Sequence, residues 1–421
     1  MTGVLALLLL VAGCGGDGPA PPEPVVVPGG VDAADPVLGW FDVTTAAVDA
    51  LDSPVQSPRS ALWATAWGAG DRAVSAAATP GSPGSPGAGA VAFARAVHDV
   101  LVDRVPAVQE AADAQLEATL AATEAGPDRD RAVDLGAAAA AEVLAERSDD
   151  GLGADAVAAG AESFRPRGGA GSWVLTDVDS TPSQSALGRA TPFLVAPDEV
   201  DVPSPLELGT PAYREDLAKV RALGGRTGSD RTAGQTATAS FWADDSLGSY
   251  TQVLRGLLER DPGRPLAQRV HLVAVFHQVS TDAQIACFAA KYDVQFWRPV
   301  TAVREAAPDG YPIPDGDPRT VPDPAWEPLL ETPSHPEFPS AHTVFAGAAE
   351  VVLDALAGPP SEPVRIDVDG VGTRAYTDWT DLVEENVDAR VWSGIHYRTS
   401  DEAGATLGRG VARLALDRLG D

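Results

Sequence analysis

Lysine is almost missing from this 421-residue chain: of 30 basic residues only Lys219 and Lys291 are lysine. Either codon bias sets that scarcity, or each lysine marks a place where a compact, mobile ammonium is wanted and a planar guanidinium is not. Cationic residues as a whole are outnumbered, 30 against 60 Asp and Glu, for a formal charge of −30. That balance argues against nucleic acid and anionic membrane surfaces as partners and fits a soluble protein facing an outside or saline medium. Cysteine is scarce too. Cys14 lies in the leader and Cys287 in an apolar helical run, so no intramolecular disulfide is expected in the mature chain. Strand-type alternation is nearly absent, which predicts an all-α fold.

The first apolar run, residues 4–12, is too short to span a bilayer and matches the core of a signal segment. Val11-Ala12-Gly13-Cys14 resembles a bacterial lipoprotein cleavage site, whose cysteine becomes lipid-modified, although no basic residue precedes it. Two localisations follow as expectations: lipid-anchored through Cys14 on the outer face of the membrane, or secreted. Residues 15–35 read as an extended tether. Residues 36–421 are expected to form one helical domain. Within it the pattern predicts helical spacing over 34–78, a long amphipathic helix over 91–120 and an alanine-rich helix over 132–147, with His98 as ordinary packing. A Gly-Ser-Pro stretch at 79–89 reads as a surface loop. The irregular 151–211 segment is expected to wrap the surface or line a site. Helices follow at 212–223, 232–242, 249–260 and 267–291, then 341–357, a segment at 376–385 and a closing helix at 400–419 capped by Ser400-Asp401-Glu402.

Three clusters carry the chemistry. In Lys291-Tyr-Asp-Val-Gln-Phe-Trp-Arg298-Pro299, seven residues make two helical turns, placing Lys291 and Arg298 on one face about 10 Å apart along the axis. They could converge on an anion or merely snorkel. In Phe338-Pro339-Ser340-Ala341-His342, proline ends an extended segment and Ser340 stands at an N-cap. A hydroxyl, first-turn N–H groups and a helix dipole make a seat for a tetrahedral oxyanion, although serine caps many helices. In Arg390-Val-Trp-Ser-Gly-Ile-His396, the Ser393-Gly394 bend lets Arg390 and His396 turn inward. Together these supply a lysine, two arginines, a helix N-terminus and two histidines: a multidentate oxyanion site with groups able to exchange protons or act as nucleophile.

This three-part pattern (Lys, six residues, Arg-Pro; Pro-Ser-small-His; Arg, five residues, His) resembles the signature of the vanadium-dependent haloperoxidases and the related type 2 phosphatidic acid phosphatases. The blocks Ala286-Cys-Phe-Ala-Ala-Lys-Tyr, Phe296-Trp-Arg-Pro-Val-Thr-Ala-Val-Arg304, Gly171-Ser-Trp, Ala190-Thr-Pro-Phe-Leu and Arg226-Thr-Gly-Ser-Asp-Arg-Thr are similar to the bacterial haloperoxidase-like branch. The resemblance covers about residues 90–415 and implies a helical bundle of the haloperoxidase and acid phosphatase type. It implies vanadate as cofactor, with phosphate as competing oxyanion, held by Lys291, Arg298, Ser340, Arg390 and the Ala341 N–H. It makes His396 the vanadium ligand, or the nucleophile of a soluble acid phosphatase acting through a phosphohistidine. His342 becomes the acid–base group, Lys291 the group that polarises bound peroxide, and Asp245 the acidic partner of Arg390. The implied substrates are hydrogen peroxide, halide and an organic acceptor, and the implied assembly is a homodimer. His335 sits where bromoperoxidases carry a histidine, leaning toward bromide or iodide over chloride; the alternative is an exposed loop histidine. A third reading is a lipoprotein binding module without catalysis.

Three positions depart from the pattern. Ala341 replaces a glycine, Ala389 replaces a serine, and Asp401 falls five places after His396 where four is usual. The last departure puts in doubt the carboxylate that would hold His396.

Overall fold

The computed structural model describes residues 25–51, 53–79, 87–244 and 246–421. The expected leader with Cys14, residues 15–24 of the expected tether, most of the 79–89 loop and Asp245 lie outside the described residues. The chain is helical, as the lack of strand alternation implies. Helices α1 (Pro36–Ala50), α2 (Gln56–Ala77), α3 (Ala88–Arg104), α4 (Gln109–Ala121), α5 (Pro127–Glu146) and the short α6 (Ala154–Ala158) make the first half. The second half holds α7 (Pro211–Gly224), α8 (Ala233–Phe241), α9 (Ser246–Arg260), α10 (Leu266–Val294), α11 (Pro299–Arg304), α12 (Ala341–Ala357), α13 (Trp379–Trp392) and α14 (Arg398–Leu419).

The expected single helix over 91–120 is instead two. Pro106 lacks the N–H that would continue the ladder, so α3 stops at Arg104 and α4 starts afresh at Gln109. His98 does more than pack. Its Nδ1 lies 2.7 Å from Asp99 and its Nε2 2.8 Å from Asp113 on α4, tying the two helices together. An antiparallel hairpin, β1 (Val364–Val368) and β2 (Gly372–Tyr376), was not expected; only five residues long on each side, it is too short for alternation to register. The segment expected at 376–385 is accordingly the end of β2 followed by α13.

The architecture turns on α10. It is apolar nearly all round, which marks a central helix rather than a surface one, and Val270, Val273, Phe276, Val279, Ile285 and Phe288 are all buried. Trp63 of α2 stacks on its His277 at 4.7 Å, and Phe276 meets Phe345 of α12 at 6.0 Å, so one apolar core links both halves. The irregular 151–211 stretch is fastened to the same helix. The buried carboxylate of Asp282 accepts the N–H groups of Phe193, Leu194 and Val195 at 2.7, 2.6 and 2.8 Å. No helix among the described residues is long and apolar enough to cross a membrane.

Two features place the site. A second apolar cluster, with Tyr213, Val220, Trp297, Phe338 and Tyr397, lies around the segments that follow α10 and precede α12 and α14. Helices α12 and α14 also approach closely. A Cβ on Gly408 would stand 2.0 Å from the Val344 carbonyl, and one on Gly347 2.2 Å from that of Ala405. This contact sets the two helix starts side by side, with the Ser340 N–H on the Ser400 carbonyl at 3.2 Å.

Candidate active site

Lys291 and Arg298 do not share a helix face. Gln295 adopts a left-handed conformation (φ 54°) and closes α10, its N–H capping the Lys291 carbonyl at 2.8 Å. The chain then runs extended beside residues 171–173, with the Trp297 N–H on Gly171 O at 3.0 Å and the Trp173 N–H on Gln295 O at 2.7 Å. Arg298 is the N-cap of α11, and Pro299 begins that helix rather than merely stopping the previous one. Tertiary pairing, not helical periodicity, brings the two cations together.

Both are fully buried. Lys291 Nζ donates to the carbonyls of Pro336 and Glu337, each at 2.9 Å, leaving one of its three N–H groups. Arg298 Nε donates to His335 O at 3.0 Å and Nη1 to Ile395 O at 2.9 Å; Nη1 also lies 3.2 Å from His396 Nε2, and Nη2 3.1 Å from His335 Nδ1. The Lys291–Arg298 segment and the third cluster therefore meet in one place. Snorkelling is ruled out for both, because neither head reaches solvent. Lys219, by contrast, is exposed.

Ser340 is the N-cap residue of α12, yet its hydroxyl makes no capping bond. Ser340 Oγ is buried with no hydrogen-bond partner among the described residues, and so is Arg390 Nε. Arg390 holds the carbonyl of Trp242 at 2.6 Å through Nη1. Neither donor bonds the Asp401 carboxylate that lies beside them, itself unpaired, and with the first-turn N–H groups of α12 they suit a group that brings its own oxygens. Ala341 and His342 are half-buried at that turn. His342 Nε2 donates to Asp244 O at 2.9 Å, which leaves Nδ1 as the acceptor.

The carboxylate that holds His396 comes from an unexpected place. His396 Nδ1 donates to Glu337 Oε1 at 2.8 Å, across 59 positions. Asp401 makes no such bond; it is buried near Arg390 and Ser340, whose charge and hydroxyl it neighbours. The expected Ser400-Asp401-Glu402 cap is also displaced. Helix α14 begins at Arg398, and the Ser400 hydroxyl donates instead to Glu337 Oε2 at 2.7 Å. Glu337 is the site residue that sequence reasoning missed, although it opens the stretch Glu-Phe-Pro-Ser-Ala-His. The available signal was an acid three residues before Ser340, set between Pro336 and Phe338-Pro339. His335 is not a solvent-exposed loop residue: it is buried, with its ring 5.1 Å from Phe288.

Burial dominates the electrostatics. It pulls the Lys291 ammonium down to about 8 and each of Arg298 and Arg390 to about 10. It pushes Glu337 up to about 7, against the opposing pull of Arg298 and Lys291. His396 is held well below the ordinary imidazole value by burial and then by Arg298, Lys291 and Arg390; His342 likewise, by burial and then Arg390. Both imidazoles are neutral at pH 7, so each keeps a lone pair. The three cations, two neutral imidazoles and one helix start form a cluster that can hold an oxyanion and exchange protons beside it.

Residues 271–421 match the family model described as the VCPO second helical-bundle domain. A vanadium chloroperoxidase of Curvularia inaequalis is 30% identical over 161 residues, a stretch covering 33% of this chain and only 26% of that protein. Among solved structures, a bacterial vanadium-dependent iodoperoxidase superposes with a TM-score of 0.63 at 17% identity, covering 94% of this chain and 97% of its own. A bacterial vanadium-dependent chloroperoxidase in its apo form gives 0.64 at 15% identity, covering 87% and 95%. At these identities the structures speak for the fold, and the sequence match speaks for the region that carries every site residue described above. Residues 271–421 are thus similar to the second helical-bundle domain of a vanadium chloroperoxidase, and the chain has the fold of the bacterial vanadium-dependent haloperoxidases.

Proposed function

We propose that this chain is a vanadate-dependent haloperoxidase that uses hydrogen peroxide to oxidise halide to hypohalous acid, with bromide or iodide preferred over chloride. The reading is carried by one observation: Ser340 Oγ and Arg390 Nε are buried donors that make no hydrogen bond among the described residues, in the cluster that also holds His396 Nε2. A tetrahedral oxyanion would satisfy the donors, and His396 would offer its Nε2 lone pair to a metal within that oxyanion. Lys291, Arg298, Ser340, Arg390 and the Ala341 N–H would hold its oxygens, and His396 Nε2 would ligate vanadium. When bound, vanadium supplies a Lewis acid that activates peroxide without changing its own oxidation state.

The chain's own residues do the rest. Lys291 sets a positive charge against the oxidant's oxygen and draws electron density from the atom that halide attacks. His342, at the half-buried turn, moves the proton that the balance requires, since peroxide, halide and one proton give hypohalous acid and water. The wall of His335 and Phe288 is the candidate halide pocket, a histidine and an aromatic ring in contact. An organic acceptor would then take the halogen outside the cluster. Export, with lipid attachment at Cys14, completes the proposal and is checked by labelling cells with a fatty acid and recovering the chain.

The deciding assay reconstitutes the protein with orthovanadate and measures peroxide-dependent bromination beside phosphate-ester hydrolysis. Bromination that phosphate competes away, and that His396→Ala and His342→Ala abolish, is the expected result. Hydrolysis without bromination would instead make the chain an acid phosphatase acting through His396.

A further inference from the structure

We propose that Glu337 is a positioning residue for His396, whose carboxylate fixes the imidazole as its Nδ1–H tautomer and so reserves the Nε2 lone pair for the bound metal. The proposal rests on the oxyanion-site reading given above and names a residue that the three-part pattern does not contain.

The carboxylate is itself immobilised. Oε2 accepts from the Ser400 hydroxyl at 2.7 Å, and Oε1 accepts from the Tyr397 N–H at 3.2 Å as well as from His396 Nδ1 at 2.8 Å. The backbone of the same residue is equally occupied: its N–H donates to Phe296 O at 2.9 Å and its carbonyl accepts from Lys291 Nζ at 2.9 Å. One residue thus touches two of the clusters and leads into the third. Its main chain links the Lys291 and Arg298 segment, and its side chain links the His396 segment, with the Ser340 turn three residues on. No other carboxylate takes this place, because Asp401 lies toward Ser340 and Arg390 and makes no bond to the imidazole.

The opposite tautomer would fail at both ends. Nε2–H would confront Arg298 Nη1, itself a donor, at 3.2 Å, and the Nδ1 lone pair would confront a carboxylate. A carboxylate behind a metal-ligating imidazole fixes ring orientation and raises its donor strength; removing such a partner costs about 10–100-fold in metal affinity. The consequence here is selective. Vanadate, which takes the imidazole lone pair, depends on Glu337; phosphate, held by the cations alone, does not.

The test compares wild type with Glu337→Met, which removes the acceptor, and Glu337→Gln, which keeps a neutral acceptor in the same position. Orthovanadate and phosphate binding are measured by calorimetry, and ring nitrogen-15 shifts of the histidines are recorded without any anion. The expected result is a vanadate affinity lower by about 10–100-fold in Glu337→Met, partial recovery in Glu337→Gln, and phosphate affinity unchanged in both. The nitrogen spectrum should show Nδ1–H for His396 in wild type and in Glu337→Gln, and a mixture in Glu337→Met. If the methionine variant does not fold, the glutamine variant alone must still lose vanadate selectively. Equal loss of both anions, unchanged vanadate affinity, or an Nε2–H tautomer in wild type would overturn the proposal. Wild-type protein that binds neither anion, yet shows the tautomer change, would overturn the haloperoxidase reading and still support the positioning role.

Discussion

Arg298 and His396, 98 positions apart, meet with Nη1 3.2 Å from Nε2, while the same guanidinium holds the carbonyls of His335 and Ile395 on either side. One planar fork therefore fixes the backbone before each of two histidine-bearing turns and also covers the lone pair of one imidazole. A lysine cannot do this, since a single ammonium lacks the fork's fixed directions.

Arg298→Lys should accordingly lose on two counts. Each buried carbonyl left without a donor costs about 1–3 kcal/mol, read as a lower denaturant midpoint. Oxyanion affinity should fall by about tenfold, because a charge-assisted N–H held in a fixed direction is replaced by a mobile point charge. Denaturation and calorimetry on the one variant check both, and wild-type values in either would contradict this account of Arg298.

Lys291 sets a pH dependence with opposite signs for binding and for stability. Its folded value of about 8 lies below the ordinary lysine value of 10.5. Between those two, the unfolded chain binds a proton that the folded chain does not. Stability of the anion-free protein therefore gains from this group as pH rises from about 8 to 10.5, and the cost of a buried ammonium is borne in full below about 8. Phosphate binding needs the ammonium, so its affinity should fall above about pH 8 by up to about tenfold per pH unit. Lys291→Met should remove that dependence from both measurements.

Gly394 lies where a side chain has no room. Its φ is +80°, and a Cβ there would stand 2.3 Å from the Gly224 carbonyl, backbone that cannot give way without moving α7. Gly394→Ala should cost about 1–3 kcal/mol. It should also weaken phosphate binding, because Ile395 and His396 follow directly. Gly410→Ala is the control: it lies within α14 with nothing within 4 Å of the added methyl. That change should be neutral or stabilising by up to about 1 kcal/mol. Thermal melts of the pair separate crowding from a general intolerance of alanine.

His271 ties the start of α10 to α2 and to the last residue. Its Nδ1 lies 2.8 Å from Asp71 and its Nε2 2.9 Å from Asp421. The bond to Asp71, with Asp421 assisting, raises it to about 9 from the ordinary 6.5. A raised folded value means a contribution fully present below about 6.5 and lost as pH climbs through about 9. His271→Ala should therefore be clearly destabilised at pH 6 and near wild type at pH 10. Solvent screening at this half-exposed cluster keeps the effect modest. Equal losses at both pH values would show packing, not charge, to be its role.

Helix α12 runs from Ala341 to Ala357 as its apolar pattern requires, and α7, α8 and α10 lie within three residues of expectation, because helix formation follows from the side chains of consecutive residues. Residue identities of the same local kind marked Lys291, Arg298, Ser340, Arg390, His342 and His396 as a set. Local preference gave way where one interaction outweighed it. Pro106 divided α3 from α4, and the pairing with 171–173 took Arg298 off the helix. Ser400, a fitting cap on sequence grounds, gave its hydroxyl to a buried carboxylate.

The chain's own order of residues determined that it is helical and which cations and imidazoles could serve an anion. Only the tertiary structure decided that Glu337 rather than Asp401 stands behind His396, and that His335 is buried. Those outcomes depend on the close approach of α12 and α14 and on the reversal at Gln295. Contacts across 59 or 98 positions arise from how distant segments pack, and no spacing within either segment encodes them.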